Sequence, residues 1–251
     1  MRIAGSATFL ADRARRRVTR GGLLMAAGVV FLVIAVLAAQ GSDGSGSTGA
    51  TSLPVFLGLG SLLVGTLQLL AGSRDRQASA GEAPVVTQLG ARLDDDYCYL
   101  HHVALPQHGV EADGILIGPS GALVLAIRAI AGQYVVRGND WFTVDAAGTE
   151  RPWSRSPTWE LARPMFALQR IVQEQGFGQV PVHGAVVLVQ GQLVEADRPG
   201  AAVVPVERIA SYADYLRQGE TAPREMVEAL IAYLEPHAGG HDRRRPGRRE
   251  Q

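Results

Sequence analysis

The chain has 251 residues, 47% apolar and 19% charged, and its 24 basic residues, every one an arginine, balance 24 acids. That balance excludes a chain built as a strongly basic polyanion binder, and a single cysteine, Cys98, excludes an internal disulfide framework and fits a reducing compartment. The length allows one domain with a real core beside a shorter, compositionally distinct N-terminal zone.

Residues 1–20 carry six arginines against one acid, Asp12. Two uncharged apolar runs follow, residues 21–39 and 53–71, separated by the polar loop 40–52. Each run, as a helix, would cover about 28 Å, close to the hydrocarbon thickness of a bilayer. The expectation is a transmembrane helical hairpin, with a cleaved leader as the alternative reading of the first run. Arginine flanks both outer sides of the hairpin and is absent from its turn. The positive-inside rule then predicts a multi-pass protein of the inner, cytoplasmic membrane, with the N-terminus and the main domain in the cytoplasm and the arginines near lipid headgroups.

Residues 73–236 read as one domain after a linker that ends near Pro84. A short helix beginning near Ser79 is expected to run toward Arg92, broken by Asp94, Asp95 and Asp96. Strands are predicted over 97–105, 109–118 and 122–130, with Pro119–Gly121 as a turn; the unbroken apolarity of 122–130 predicts burial on both faces. Residues 134–136 and 141–144 flank an Asn–Asp corner and predict a hairpin. A long helix is expected from Pro157, capped by Ser156, kinked at Pro164 and ended by Gly176 and Gly178. Strands over 183–190 and 201–205 and helices over 209–218 and 224–234 close the domain. The order predicts an α/β fold, a mixed sheet flanked by helices. Residues 237–251, rich in arginine and without an apolar run, read as a disordered basic tail.

Three groups of residues could carry chemistry. Acids at Glu82, Asp94 to Asp96, Glu111 and Asp113 could offer oxygen ligands to a divalent cation; Asp113 stands where a polar strand opening meets an apolar run, and a solvent-facing strand edge is its plain alternative. His101, His102 and His108, with Cys98 nearby, lack the spacing of a compact zinc motif and read as satisfied or exposed side chains. Ser120 in GPSG is a turn serine outside any nucleophile elbow.

From about Gly81 to Val194 the domain resembles the NERD family, the nuclease-related domain of bacterial membrane and helicase-associated proteins. The resemblance is carried by GE at 81–82, YLHHVALP at 99–106, EADGILIGPSGALVLAIRAIAG at 111–132, Gly138, Trp141, the helix start at Pro157 and GAVVLV at 184–189. It implies a restriction-endonuclease-like sheet of the PD-(D/E)xK type, in which two carboxylates hold a metal and a lysine assists attack on a phosphodiester. Carried across, the helical acid falls on Glu82, the strand aspartate on Asp113, the second acid on Ala126, the lysine on Arg128, and a helical glutamine at or near Glu160. Ala126 cannot ligate metal, and arginine keeps lysine's charge while being a poor proton carrier. Glu111, two residues before Asp113, is the one acid placed to compensate.

The leading expectation is therefore a membrane-anchored NERD-like domain, catalytically impaired, acting as a cytoplasmic binding or scaffold module for nucleic acid or another protein, with no cofactor. One alternative is a metal-dependent nuclease with an altered site, using Mg²⁺ or Mn²⁺ on Glu82 and Asp113 with Arg128 and Glu111. Another is a structural membrane protein that pairs with an integral partner. Residues 73–236 hold 13 arginines and 20 acids, a net charge of −7, which weighs against nonspecific binding of phosphate backbones. Arg128, Arg137, Arg151, Arg155 and Arg163 could still form a local basic groove.

Overall fold

β-Branched and aliphatic runs with period two build most of the strands. The computed structural model describes residues 1–4, 19–20, 22–34, 56–57, 59–67, 81–219 and 221–239. Its strands are β1 (Arg2–Ala4), β2 (Cys98–Leu105), β3 (Val110–Gly118), β4 (Gly121–Arg128), β5 (Gly132–Arg137), β6 (Asp140–Val144), β7 (Glu150–Pro152), β8 (Val182–Leu188), β9 (Gly191–Asp197) and β10 (Ala202–Pro205). A helix over 81–90, here α1, precedes β2. The later helices are α2 (Pro157–Glu174), α3 (Ile209–Arg217) and α4 (Arg224–Leu234).

The expected mixed sheet is present, and a second sheet accompanies it. Six strands lie in the order β1-β2-β3-β4-β8-β10, and four in the order β7-β6-β5-β9. In the larger sheet β2, β3 and β4 are antiparallel neighbours, while β1, β8 and β10 each join in parallel. β4 is buried along nearly all its length, as its apolarity predicts. The β5–β6 hairpin forms about residues 138–139, as expected. β1, β7 and β9 have no counterpart in the sequence reading, and two of them explain why. β7 has only three residues, and β9 is largely exposed, so neither displays an apolar face.

Two apolar layers cover the larger sheet. Leu100, Ile115, Ile117, Val124 and Ala126 pack with Leu161 and Leu168 of α2 and with Leu230 and Leu234 of α4. On the opposite face Tyr97, Tyr99, Leu116, Leu125 and Ile127 pack with Val85 and Leu89 of α1 and with Ile209 and Ala213 of α3. Trp141 of β6 donates its indole N–H to Thr158 Oγ1 of α2 at 2.9 Å, tying the smaller sheet to the long helix. The C-terminal end of the described chain stays with this core: Ala238 is buried and the Gly239 N–H donates to the His101 carbonyl at 2.7 Å. The tail expected from 237 otherwise falls on residues 240–251, outside the described residues.

Residues Thr8–Ser79 form a separate compact unit. The expected transmembrane hairpin is corrected here: among the described residues no helix is long and apolar enough to cross a membrane. The multi-pass inner-membrane location, which rested on that hairpin, is withdrawn with it. The remainder of both apolar runs, and loop 40–52, lie outside the described residues.

Candidate functional site

β3 and β4 pair from Gly118↔Gly121 to Gly114↔Leu125, where the ladder ends. The next residues on β3 and β4 are Asp113 and Ala126. Separation of the strands at this point frees the amide of Ile127 from the ladder. Asp113 takes its place as acceptor: its Oδ2 lies 3.0 Å from the Ile127 N–H. The same oxygen accepts from Nη1 of Arg128 at 2.9 Å. Asp113 is thus neither a bare solvent-facing edge nor a free ligand, although its side chain keeps 36% exposure.

Side chains two apart on a strand share a face, so Ala126 and Arg128 both point to the α2 side. The Ala126 methyl is buried in the apolar layer beneath α2. Arg128 extends past it. Its Nη1 also donates to the Ile127 carbonyl at 2.7 Å, and its Nη2 contacts Oε2 of Glu160 in the first turn of α2. Arg155 closes the series, with Nε 3.0 Å from Oε1 of Glu160. The outcome is a line of alternating charge, Asp113–Arg128–Glu160–Arg155, across the end of the sheet. Arg137 and Arg151 belong elsewhere: they pair with Glu150 and Asp145 of the smaller sheet, so they do not join Arg128 in one basic groove.

Glu82 stands in a different cluster. It lies on α1, at the second of the described helical residues. Gly81, just before it, sits so near β4 that an added Cβ would fall 2.8 Å from Cγ2 of Ile127, so the absence of a side chain lets α1 approach β4 closely. Glu82 is nearly fully buried, with His101 Nδ1 3.7 Å from its Oε2 and His102 Nε2 against its Oε1. Nδ1 of His102 in turn faces Oε1 of Glu111 at 3.3 Å. Simple alternation would place adjacent histidines on opposite faces of β2. The backbone of His102 takes φ +40°, a left-handed conformation that histidine tolerates better than most residues, and this turns both rings toward Glu82. The change of phase is visible in the packing: Tyr97 and Tyr99 face α1, whereas Val103 and Leu105 face the opposite layer.

The electrostatics follow from this geometry. Burial alone would push the His102 imidazolium toward neutrality. Hydrogen bonds to Glu111 and Glu82, and the charges of Glu82 and Asp113, outweigh it and raise its pKa to about 9. For Glu82 burial acts to raise the pKa, yet the two histidines overcome it and hold the carboxyl below its ordinary value. At neutral pH the cluster is therefore an imidazolium between two carboxylates.

The residues do not fit the metal that the PD-(D/E)xK pattern requires. Glu82 is engaged by imidazoles, Asp113 Oδ2 by an amide and a guanidinium, and Ala126 offers no ligand. Among the described residues no group of three His, Cys, Asp or Glu side chains is arranged to hold a metal ion. Sequence reading found Glu82, Glu111, Asp113, Arg128 and Glu160, but it assigned Glu82 and Asp113 to one site, whereas the fold gives each its own cationic partner. It left His101 and His102 outside the site. The Glu-rich neighbourhood of an adjacent buried pair was the available signal, and it required knowing the strand phase. His108 lies in the β2–β3 turn, Ser120 in the β3–β4 turn, and Asp94 to Asp96 in the exposed loop before β2.

No curated protein and no solved structure shows a significant match to the chain. The family model of the nuclease-related domain matches residues 77–189, a stretch that begins ahead of α1, ends just after β8 and contains both charged clusters. Over residues 77–189, a little less than half of its length, this chain is similar to the nuclease-related (NERD) domain.

Proposed function

We propose that this nuclease-related domain is a binding module that does not cleave phosphodiesters. The observation that carries the reading is the Arg128 guanidinium lodged between Asp113 and Glu160, beside Ala126 where the family pattern implies an acid. A divalent cation needs several oxygen ligands in open positions. Here a permanent cation already neutralises both carboxylates, and a metal ion brought within a few ångströms of it would meet like-charge repulsion. The charge of −7 over residues 73–236 disfavours indiscriminate binding of phosphate backbones and supports a protein surface as the ligand.

The test is cleavage of single- and double-stranded DNA and RNA by the full chain with Mg²⁺ or Mn²⁺, beside calorimetric titration of each metal into the same protein and into Asp113→Ala. The expected result is intact substrate and no metal binding that depends on Asp113. Cleavage abolished by Asp113→Ala would overturn the reading. That outcome would favour an altered-site nuclease, the reading supported by Oδ1 of Asp113, which makes no hydrogen bond among the described residues.

A further inference from the structure

The outward face of α2 carries large aromatic side chains in water. Trp159 is 60% exposed and Phe166 59%. Arg163 and Arg170 share that face, so the stripe reads Trp159, Arg163, Phe166, Arg170, with steps of four, three and four residues. Steps of three and four keep side chains on one face of a helix. Arg163 makes no ion pair among the described residues, while Arg170 reaches only its own helix neighbour Glu174, at 3.7 Å. An exposed guanidinium and an exposed aromatic ring attract each other strongly once water is removed between them. On a single helix, steps of three and four leave these rings and guanidinia side by side rather than stacked.

The spacing is the same read in either direction, and the residue types alternate, which makes the stripe complementary to its own reverse. We propose that α2 pairs antiparallel with α2 of a second copy of this chain. A two-fold axis passing between Pro164 and Met165 sets Arg163 opposite Phe166 of the second copy and Trp159 opposite Arg170. The same register sets Arg155, just ahead of the helix, opposite Glu174. The two-fold axis repeats each of these contacts, as an isologous interface requires. Arg155 and Glu174 are both largely exposed, and in the dimer each would share or exchange the ion pair that it makes within its own chain, with Glu160 and Arg170 respectively. Trp and Arg are also the residues that most often dominate the energy of a protein interface. A parallel arrangement would instead put Arg163 against Arg163 and Phe166 against Phe166, so the charges choose the antiparallel one.

Sedimentation equilibrium of the full chain tests the pairing through a swap. The parent chain is expected to dimerise. Phe166→Arg sets two arginines opposite each other and is expected to raise the dimer dissociation constant at least about tenfold. The double variant Arg163→Phe/Phe166→Arg restores an aromatic opposite an arginine and is expected to return the constant toward that of the parent. All of these side chains are exposed, so far-UV circular dichroism should be unchanged in both variants, and the melting temperature should match the parent's at concentrations where every chain is monomeric. A chain that stays monomeric at every concentration, self-association that Phe166→Arg leaves unmoved, or a swap that fails to restore it would overturn the proposal. Binding of a single-stranded oligonucleotide by a monomer through Trp159 would also overturn it, by assigning the face to nucleic acid.

Discussion

Two anion–cation–anion triads lie at the same end of the sheet, and they differ in the cation and in water. Glu82–His102–Glu111 is centred on a titratable imidazolium, and two of its three members are almost wholly buried. Asp113–Arg128–Glu160 is centred on a guanidinium that never loses its charge, and about a third of each carboxylate remains in contact with solvent. The first is a stability element with a pH limit. The second is a lock held by a guanidinium, which keeps its charge where an imidazolium loses it on the alkaline side. Equal charge patterns thus have different consequences, decided by burial and by the pKa of the central group.

The sharpest way to break this contrast is to remove the buried acid. Glu82→Gln leaves two imidazoles without their carboxylate and is expected to cost about 3 kcal/mol, read as a lowered urea midpoint at unchanged m-value. Titration probes the same triad. The folded pKa of His102, near 9, is above its ordinary 6.5. Its contribution is therefore complete below about pH 6.5, is lost as pH rises toward 9, and should amount to something on the order of 2 kcal/mol. Glu82, with a lowered pKa, behaves oppositely: its contribution is present above the ordinary carboxylate range and is lost as pH falls. Urea unfolding across this range should show a neutral plateau with an alkaline decline, and His102→Gln should remove the decline.

The guanidinium lock is expected to be weaker. Arg128→Met frees Asp113 and Glu160 to face each other and should destabilise by about 1.5 kcal/mol, through loss of charge-assisted hydrogen bonds partly screened by water. Unlike the His102 effect, it should be constant from neutral to alkaline pH. The smallest effect belongs to the outer end of the line. Arg155 is 73% exposed, and Arg155→Ala should change the urea midpoint by no more than about 0.5 kcal/mol in equivalent stability. A cost of Arg155→Ala equal to that of Arg128→Met would show that the four charges act as one cooperative network rather than as a lock with a solvated end.

Much of this molecule could be read along the chain. The apolar run 122–130, the Asn–Asp corner at 139–140, the proline at the start of α2 and the alternation of 110–118 each report local geometry, because backbone preference and burial leave a periodic trace. Ala126 and Arg128 carry the proposed departure from a metal-dependent site in the same way, since an alanine side chain cannot become a metal ligand in any fold. For the apolar runs 21–39 and 53–71 composition sets the hydrophobicity of a segment, whereas crossing a bilayer also demands a helix of sufficient length, and no helix among the described residues has it.

Residue identity and spacing by themselves determined the α/β class, the positions of most strands and helices and the resemblance to nuclease-related domains. Only the tertiary structure decided which acid meets which cation. Glu82 found His101 and His102 because one left-handed residue reverses the phase of β2. Asp113 found Arg128 because the β3–β4 ladder ends one residue earlier, leaving an amide to be satisfied. Charges attract across space rather than along the chain, so their partners are fixed by register and strand phase, which single residues far apart in sequence set together.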